Sequence, residues 1–116
     1  MSFVKYEPKG NIAYLIIDRE KALNALNSQV LADLDAALDA IDLDTVRCVI
    51  VRGAGDKSFV AGADIAQMKE LSKEEGEAFG KQGNDVMRKL EALPVPTIAA
   101  VGGYALGGGC GLAMSC

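Results

Sequence analysis

The chain has 116 residues, of which half are hydrophobic and about a quarter are charged, a composition typical of one globular domain. Its net charge of -4 leaves no basic excess to neutralise phosphates, which argues against nucleic acid as the main partner. It has no histidine and has three cysteines without Cys-x-x-Cys spacing. This excludes a Ser-His or Cys-His pair within the chain, predicts no metal site and favours a reducing, cytoplasmic setting.

The first half of the chain predicts two strands, a helix and a third strand. Residues 3–7 and 12–18 flank a Gly-Asn turn and are rich in strand-forming side chains, which predicts a hairpin. After a polar loop, apolar side chains recur at helical spacing over residues 30–41. Asn27 is placed to cap this helix. Residues 46–53 then have the pattern of a buried strand.

The second half predicts a short strand, two helical segments and a last strand. Residues 58–61 are strand-like and end at a glycine. Asp64 and Ser72 each begin a helical segment with the spacing of a capping box. Residues 97–101 return to the strand pattern. The order strand, strand, helix, strand, helix, strand predicts an α/β fold.

The 25 residues from Ala92 onward carry no charge and are long enough to span a membrane. Two prolines, a β-branched strand pattern and clustered glycines argue against a transmembrane helix. A phosphate-binding loop is disfavoured because the Gly-x-Gly-x-x-Gly spacing fails at Leu112. The third interpretation is a strand, a glycine turn and a helix that begins near residues 107–109. Free N–H groups at its start would bind an oxygen that gains negative charge; close helix packing is the alternative role of the glycines.

Two motifs resemble the crotonase, or enoyl-CoA hydratase/isomerase, superfamily. They are SFVAGADI at residues 58–65 and PTIAAVGGYALGGGC at residues 96–110, and KALNAL at residues 21–26 fits as well. The resemblance implies a crotonase-like spiral of β-β-α units, an α/β fold. It also implies that residues 1–116 are the N-terminal part of a single, truncated domain, whose C-terminal part is absent.

The resemblance implies short-chain enoyl-CoA hydratase chemistry, the reversible syn-hydration of a 2-enoyl-CoA to a 3-hydroxyacyl-CoA. The main-chain N–H groups of Ala63 and Gly108 would form the oxyanion hole for the thioester enolate. It implies an acyl-CoA partner, no metal or further cofactor, and a homo-oligomer (trimer or hexamer) active in fatty-acid or butyrate metabolism. The alternatives are an isomerase, another acyl-CoA enolate enzyme or a non-catalytic acyl-CoA-binding remnant.

By the same resemblance, further residues would bind the substrate beside Ala63 and Gly108, largely through their backbone: Lys21, Ala22, Leu23, Ala61, Asp64, Ile65 and Ala66. Lys21 would contact a CoA phosphate or be a solvated loop lysine. Asp64 is interpreted mainly as a helix cap. Phe79 and Met87 could line an acyl pocket, although their helical spacing favours the core. Cys110 is expected to pack rather than to act as a nucleophile.

One position departs from the pattern that the resemblance implies. Hydratases of this family carry glutamate directly after the cysteine of GGGC, where this chain has Gly111. The family's second glutamate would lie beyond Cys116. Because glycine cannot act as a general acid or base, we expect this chain to be impaired in hydration, as a fragment or altered form of a hydratase.

Overall fold

The computed structural model describes residues 2–116, and its elements alternate between strands and helices. In chain order they are β1 (Val4–Lys9), β2 (Ile12–Ile17), a 3-10 turn (Glu20–Ala22), α1 (Ser28–Asp39), β3 (Cys48–Gly53), β4 (Ser58–Val60), α2 (Ile65–Lys69), α3 (Lys73–Glu91), β5 (Thr97–Ala100), β6 (Tyr104–Ala105) and α4 (Gly108–Met114). The predicted α/β class is confirmed. Neither β6 nor the 3-10 turn was predicted.

The larger of the two sheets has the strand order β1-β2-β3-β5. Strands β1 and β2 are antiparallel, from the Val4–Ile17 pair to the Lys9–Ile12 pair, so the predicted hairpin is confirmed. Strands β2, β3 and β5 are parallel neighbours. Parallel neighbours need long crossover connections, and the helices α1 and α3 lie within them.

The smaller sheet places two loop segments next to each other. Strands β4 and β6 are parallel, with Ser58 opposite Tyr104, and Leu26 forms an isolated parallel bridge with Ala63. Because parallel strands point the same way, the residues that follow β4 and the residues that follow β6 leave from the same edge. This topology brings Ala63 and the start of α4 together.

The core lies between the larger sheet and the helices α1 and α3. Strand β3 alternates between half-buried and buried residues, with Val49 and Val51 fully buried. Helix α1 buries Val30 and Leu34 on the face that the apolar spacing predicted. Burying such side chains stabilises the fold by about 1.5–3 kcal/mol each. In α3 the buried residues are Val86 and Leu90.

The helix caps follow the sequence closely. The Asn27 side chain accepts a hydrogen bond from Val30 N and caps α1, as predicted. Ser72 and Glu75 form the predicted capping box of α3. Asp64 caps α2, but the reciprocal half of the predicted box is wrong: the Gln67 side chain bonds Ser28 instead.

The uncharged end of the chain is not one long helix. It forms β5, β6 and the seven-residue α4, and the helix start near residues 107–109 is confirmed. Among residues 2–116, no helix is long and apolar enough to cross a membrane.

Helix α4 lies directly against β4 at Gly109. A Cβ atom on Gly109 would overlap the carbonyl oxygen of Val60. Only glycine therefore allows this approach of helix to strand, and the close-packing role of the glycines holds at this position.

We expect Gly109→Ala to destabilise the chain by roughly 2–3 kcal/mol, because the backbone must move to relieve the overlap. Gly76→Ala is the matched control. Gly76 is an exposed residue of α3, with no atom within 4 Å of an added Cβ. The substitution should stabilise the chain by about 1 kcal/mol through helix propensity. Urea denaturation measures both changes. Equal midpoints for Gly109→Ala and the wild type would contradict the close contact.

Candidate active site

The first feature of the site is a free main-chain N–H at Ala63. Leu26 N donates to Gly62 O at 2.8 Å, and Asp64 N donates to Leu26 O at 2.7 Å. In a parallel bridge of this kind, the residue between the two bonded neighbours directs its own N–H to the opposite side. Among residues 2–116, no acceptor takes the Ala63 N–H.

The second feature is a free N–H at Gly108, the first residue of α4. Gly107 turns the chain into the helix with φ 49°, a conformation that suits glycine. Two of the N–H groups that follow find acceptors, since Gly109 N donates to Leu106 O and Gly111 N donates to Gly107 O. Within the described part of the chain, Gly108 N donates to nothing, as expected at a helix start.

Ala63 and Gly108 both line one apolar cleft of about 150 Å³. A Cβ built on Gly108 would lie 3.9 Å from Ala63 N, so the two residues are close neighbours. The rest of the cleft is lined by Leu26, Leu31, Phe79, Gly80, Gly83, Asn84 and Met87. Two unpaired N–H donors in an apolar cleft are suited to bind an oxygen on which negative charge develops.

The cleft has donors but no acid or base. None of its lining residues within 2–116 carries an ionisable side chain. A Cβ on Gly111 would lie 3.5 Å from Met87 Sδ, so a longer side chain at position 111 would start at the Met87 wall of the cleft. In the part of the chain that the structure describes, the lining thus offers main-chain N–H groups but no side-chain general acid or base.

Phe79 and Met87 pack against the core and also line the cleft, so they combine the two roles that the sequence left open. Both are half-buried and pack against the core, and both also line the cleft. Interpreting them as core residues alone was therefore incomplete.

The other predicted substrate residues do not all meet in this cleft. Lys21 and Ala22 line a separate open depression of about 520 Å³, where Lys21 is exposed. The Leu23 carbonyl accepts a hydrogen bond from Ala61 N at 3.2 Å, which ties this loop to the segment before Ala63. Their roles in substrate binding stay predictions.

Helix α2 presents three further positions. The Asp64 side chain accepts hydrogen bonds from Ala66 N and Gln67 N, so its interpretation as a cap is confirmed. Ile65 and Ala66 are exposed, and neither lines the cleft. In α4, Cys110 is exposed, so the expectation that it packs is wrong.

Sequence reasoning missed the polar residues that support the site. Asn24 is buried, with its Oδ1 accepting from Arg19 N at 2.8 Å and its Nδ2 donating to Ser58 O at 3.0 Å. Its φ is 59°, and that of Leu23 is 53°. Asparagine tolerates this left-handed conformation, and an asparagine in the middle of this loop was the signal that the sequence offered.

Asp64 forms an ion pair with Arg19, with 2.8 Å between Oδ2 and Nη2. The hydrogen bond from the Arg19 guanidinium lowers the pKa of the Asp64 carboxyl below its ordinary value of 3.8. The N–H groups of Gln67 and Ala66 act in the same direction, while burial opposes them. The carboxyl beside Ala63 is therefore held in its ionised form.

The sequence profile described as enoyl-CoA hydratase/isomerase matches residues 7–116. The chain belongs to this family. Among its family relatives, the short-chain-enoyl-CoA hydratase of Clostridium acetobutylicum is 56% identical over 111 residues, covering 95% of this chain and 42% of that protein. The crotonyl-CoA hydratase of Syntrophomonas wolfei is 51% identical over 111 residues, covering 95% of this chain and 43% of that protein.

Solved structures of the family share the fold. The enoyl-CoA hydratase of Bacillus anthracis superposes with a TM-score of 0.95 at 32% identity, covering 99% of this chain and 45% of that one. An enoyl-CoA hydratase/carnithine racemase of Magnetospirillum magneticum superposes with a TM-score of 0.94 at 34% identity. The match covers 100% of this chain and 45% of that one. The crotonase-like fold is confirmed, and the chain spans less than half the length of these relatives.

Ionisation of the Asp64 carboxyl should make the free energy of unfolding depend on pH. Because its pKa is lowered in the folded state, its contribution is present above the ordinary pKa of 3.8 and is lost as the pH falls through the folded pKa. The free energies of unfolding of the wild type and Asp64→Asn, measured with urea, should differ most above about pH 5 and should converge at acidic pH. Asp56→Asn, at an exposed loop carboxylate, is the control. A difference independent of pH would contradict the ion pair.

Proposed function

We propose that this chain carries the thioester-binding part of a short-chain enoyl-CoA hydratase. The observation that carries the proposal is the pair of unpaired amides, Ala63 N and Gly108 N, in two neighbouring residues that line one apolar cleft. On this proposal, residues 1–116 form the N-terminal part of a single crotonase-like domain. The names of the relatives from Clostridium and Syntrophomonas support the assignment.

The proposed reaction adds water across the double bond of a 2-enoyl-CoA. A water oxygen bonds to C3 and gives its proton to a base, the electrons of the double bond move toward the thioester oxygen, and C2 then takes up a proton. The product is a 3-hydroxyacyl-CoA. Ala63 N–H and Gly108 N–H would hold the oxygen that carries charge in the enolate, and each donor is typically worth about 3–4 kcal/mol in such sites.

The proposed substrate is a short acyl-CoA thioester, with CoA as part of the substrate and no separate cofactor. The small volume of the cleft and its apolar walls, Phe79 and Met87 among them, suit a short acyl chain. Lys21, exposed beside the second depression, is available to a CoA phosphate. We place the reaction in fatty-acid or butyrate metabolism and in the cytoplasm, where the chain's free cysteines would stay reduced.

We also propose that the working protein is a homo-oligomer, a trimer or a hexamer. Five large apolar side chains toward the end of the chain are exposed: Ile98, Val101, Tyr104, Leu106 and Met114. Large apolar side chains left exposed to water mark interaction sites where they lie together. Burial against other copies would remove it from water.

Acyl-CoA binding without turnover is the second candidate function. The observation that favours it is the absence of a carboxylate from the cleft lining within residues 2–116, with glycine at position 111. An isomerase or another enolate enzyme also needs a group that moves a proton. Binding and turnover must therefore be measured separately.

Gly108→Ala tests the paired amides directly. The added Cβ would lie 3.9 Å from Ala63 N and 3.5 Å from Leu26 Cδ1, which is ordinary packing, so the variant should fold. The methyl group would occupy space that a bound oxygen needs. We expect the Kd for crotonyl-CoA to rise by at least about tenfold, measured by calorimetry.

Two controls accompany this variant. Gly76→Ala makes the same substitution on an exposed part of α3, away from the cleft, and should leave the Kd unchanged. Free CoA lacks the thioester carbonyl and should bind both variants and the wild type equally. An unchanged Kd of Gly108→Ala for crotonyl-CoA would refute the proposed oxygen site.

Gly111→Glu separates binding from turnover. The Cβ of the new side chain would be in ordinary contact with the flexible Met87 side chain. We expect no hydration of crotonyl-CoA, because one carboxylate does not replace the pair that the family resemblance implies. Loss of the enoyl absorbance measures the reaction, and Gly111→Gln is the isosteric control. Turnover by Gly111→Glu alone would overturn the two-carboxylate argument.

A further inference from the structure

The Arg19 side chain joins the two segments that form the Leu26–Ala63 bridge. Its Nη2 lies 2.8 Å from Asp64 Oδ2, and its Nη1 donates to Ala25 O at 3.1 Å. Asp64 directly follows Ala63, and Ala25 directly precedes Leu26. Each contact is therefore one residue away from a member of the bridge.

Arg19 is itself held on several sides. Its guanidinium lies over the Phe3 ring, 5.5 Å from the centroid, and its main-chain N–H donates to Asn24 Oδ1 at 2.8 Å. The Arg19 and Asp64 side chains are only 20% and 15% exposed. A planar guanidinium that donates in two directions fixes the angle between its acceptors, which a flexible ammonium group does not.

The direction of Ala63 N–H depends on this support. Ala63 has no side chain that could hold its peptide plane, and the preceding Gly62 has φ 103°, where glycine is conformationally free. The two bridge bonds, Leu26 N to Gly62 O and Asp64 N to Leu26 O, orient the plane. Any slip between the segments would turn the N–H away from the cleft.

We propose that Arg19 is a positioning residue for the Ala63 amide. By holding Asp64 and Ala25 together, its guanidinium keeps Ala63 N–H directed into the cleft. Arg19 lines the depression that also holds Lys21 but does not line the cleft. Its effect on the Ala63 amide therefore passes through the main chain, and the affinity for free CoA reports any direct contact of Arg19 with the ligand. The inference rests on the proposed function only for the nature of the ligand, a thioester oxygen.

The test compares Arg19→Met, Arg19→Lys and the control Arg47→Met, at an exposed arginine remote from the cleft lining. In Arg19→Met, hydrogen exchange by NMR should show about tenfold less protection at Leu26 N and Asp64 N. Val49 N, bonded to Pro96 O in the larger sheet, should be unchanged. The Kd for butyryl-CoA should rise about tenfold, and the Kd for free CoA should not. Arg19→Lys should show the same pattern more weakly.

The outcomes separate positioning from general stability. Uniform loss of protection that includes Val49 N, unchanged protection at Leu26 N and Asp64 N, or an equal loss of affinity for CoA and butyryl-CoA would each overturn the proposal. If Arg19→Met does not fold, Arg19→Lys decides by the same measurements. If the wild type binds butyryl-CoA no better than CoA, the proposed function fails, and exchange at Leu26 N and Asp64 N still decides the role of Arg19.

Discussion

The short main-chain bridge between Leu26 and Ala63 is the interaction on which the candidate site depends. It uses the hydrogen-bonding groups of Leu26 on the neighbours of Ala63 and leaves the Ala63 N–H unpaired on the other side. An unpaired N–H is normally costly when buried. Ala63 lines a cleft, and under the proposed function a ligand oxygen would satisfy this N–H there. The loop before α1 thus holds the turn after β4 in place through main-chain hydrogen bonds, although about forty residues separate the two segments in sequence.

The second donor follows from the same architecture. Strands β4 and β6 are parallel, so the chain leaves both at one edge, and α4 begins beside the turn that contains Ala63. The close approach at Gly109 fixes α4 against β4. The distance between the two donors is consequently set by main-chain contacts, which side-chain motion cannot change.

Much of this could be predicted from sequence because the signals are local. The hairpin, α1 with its Asn27 cap and the capping box at Ser72 depend on short-range spacing. The pairing of Ala63 with Gly108 came from a motif resemblance, not from periodicity. The Arg19 contacts and the choice of Ser28 as partner for Gln67 link residues far apart in sequence, which no local pattern encodes. Cys110 was misjudged because apolar neighbours in sequence do not determine which side of α4 faces water.

The use of main-chain donors has a consequence for how such a site changes during evolution. A peptide N–H is present whatever side chain is attached, and only proline removes it. Most single substitutions at positions 63 and 108 therefore keep the N–H donor itself, although a larger side chain at 108 can fill the space in front of it. A side-chain acid or base at a position such as 111 is lost with one substitution. Under the proposed function, mutation would change the reaction on such a scaffold while the two main-chain donors for the acyl oxygen remain.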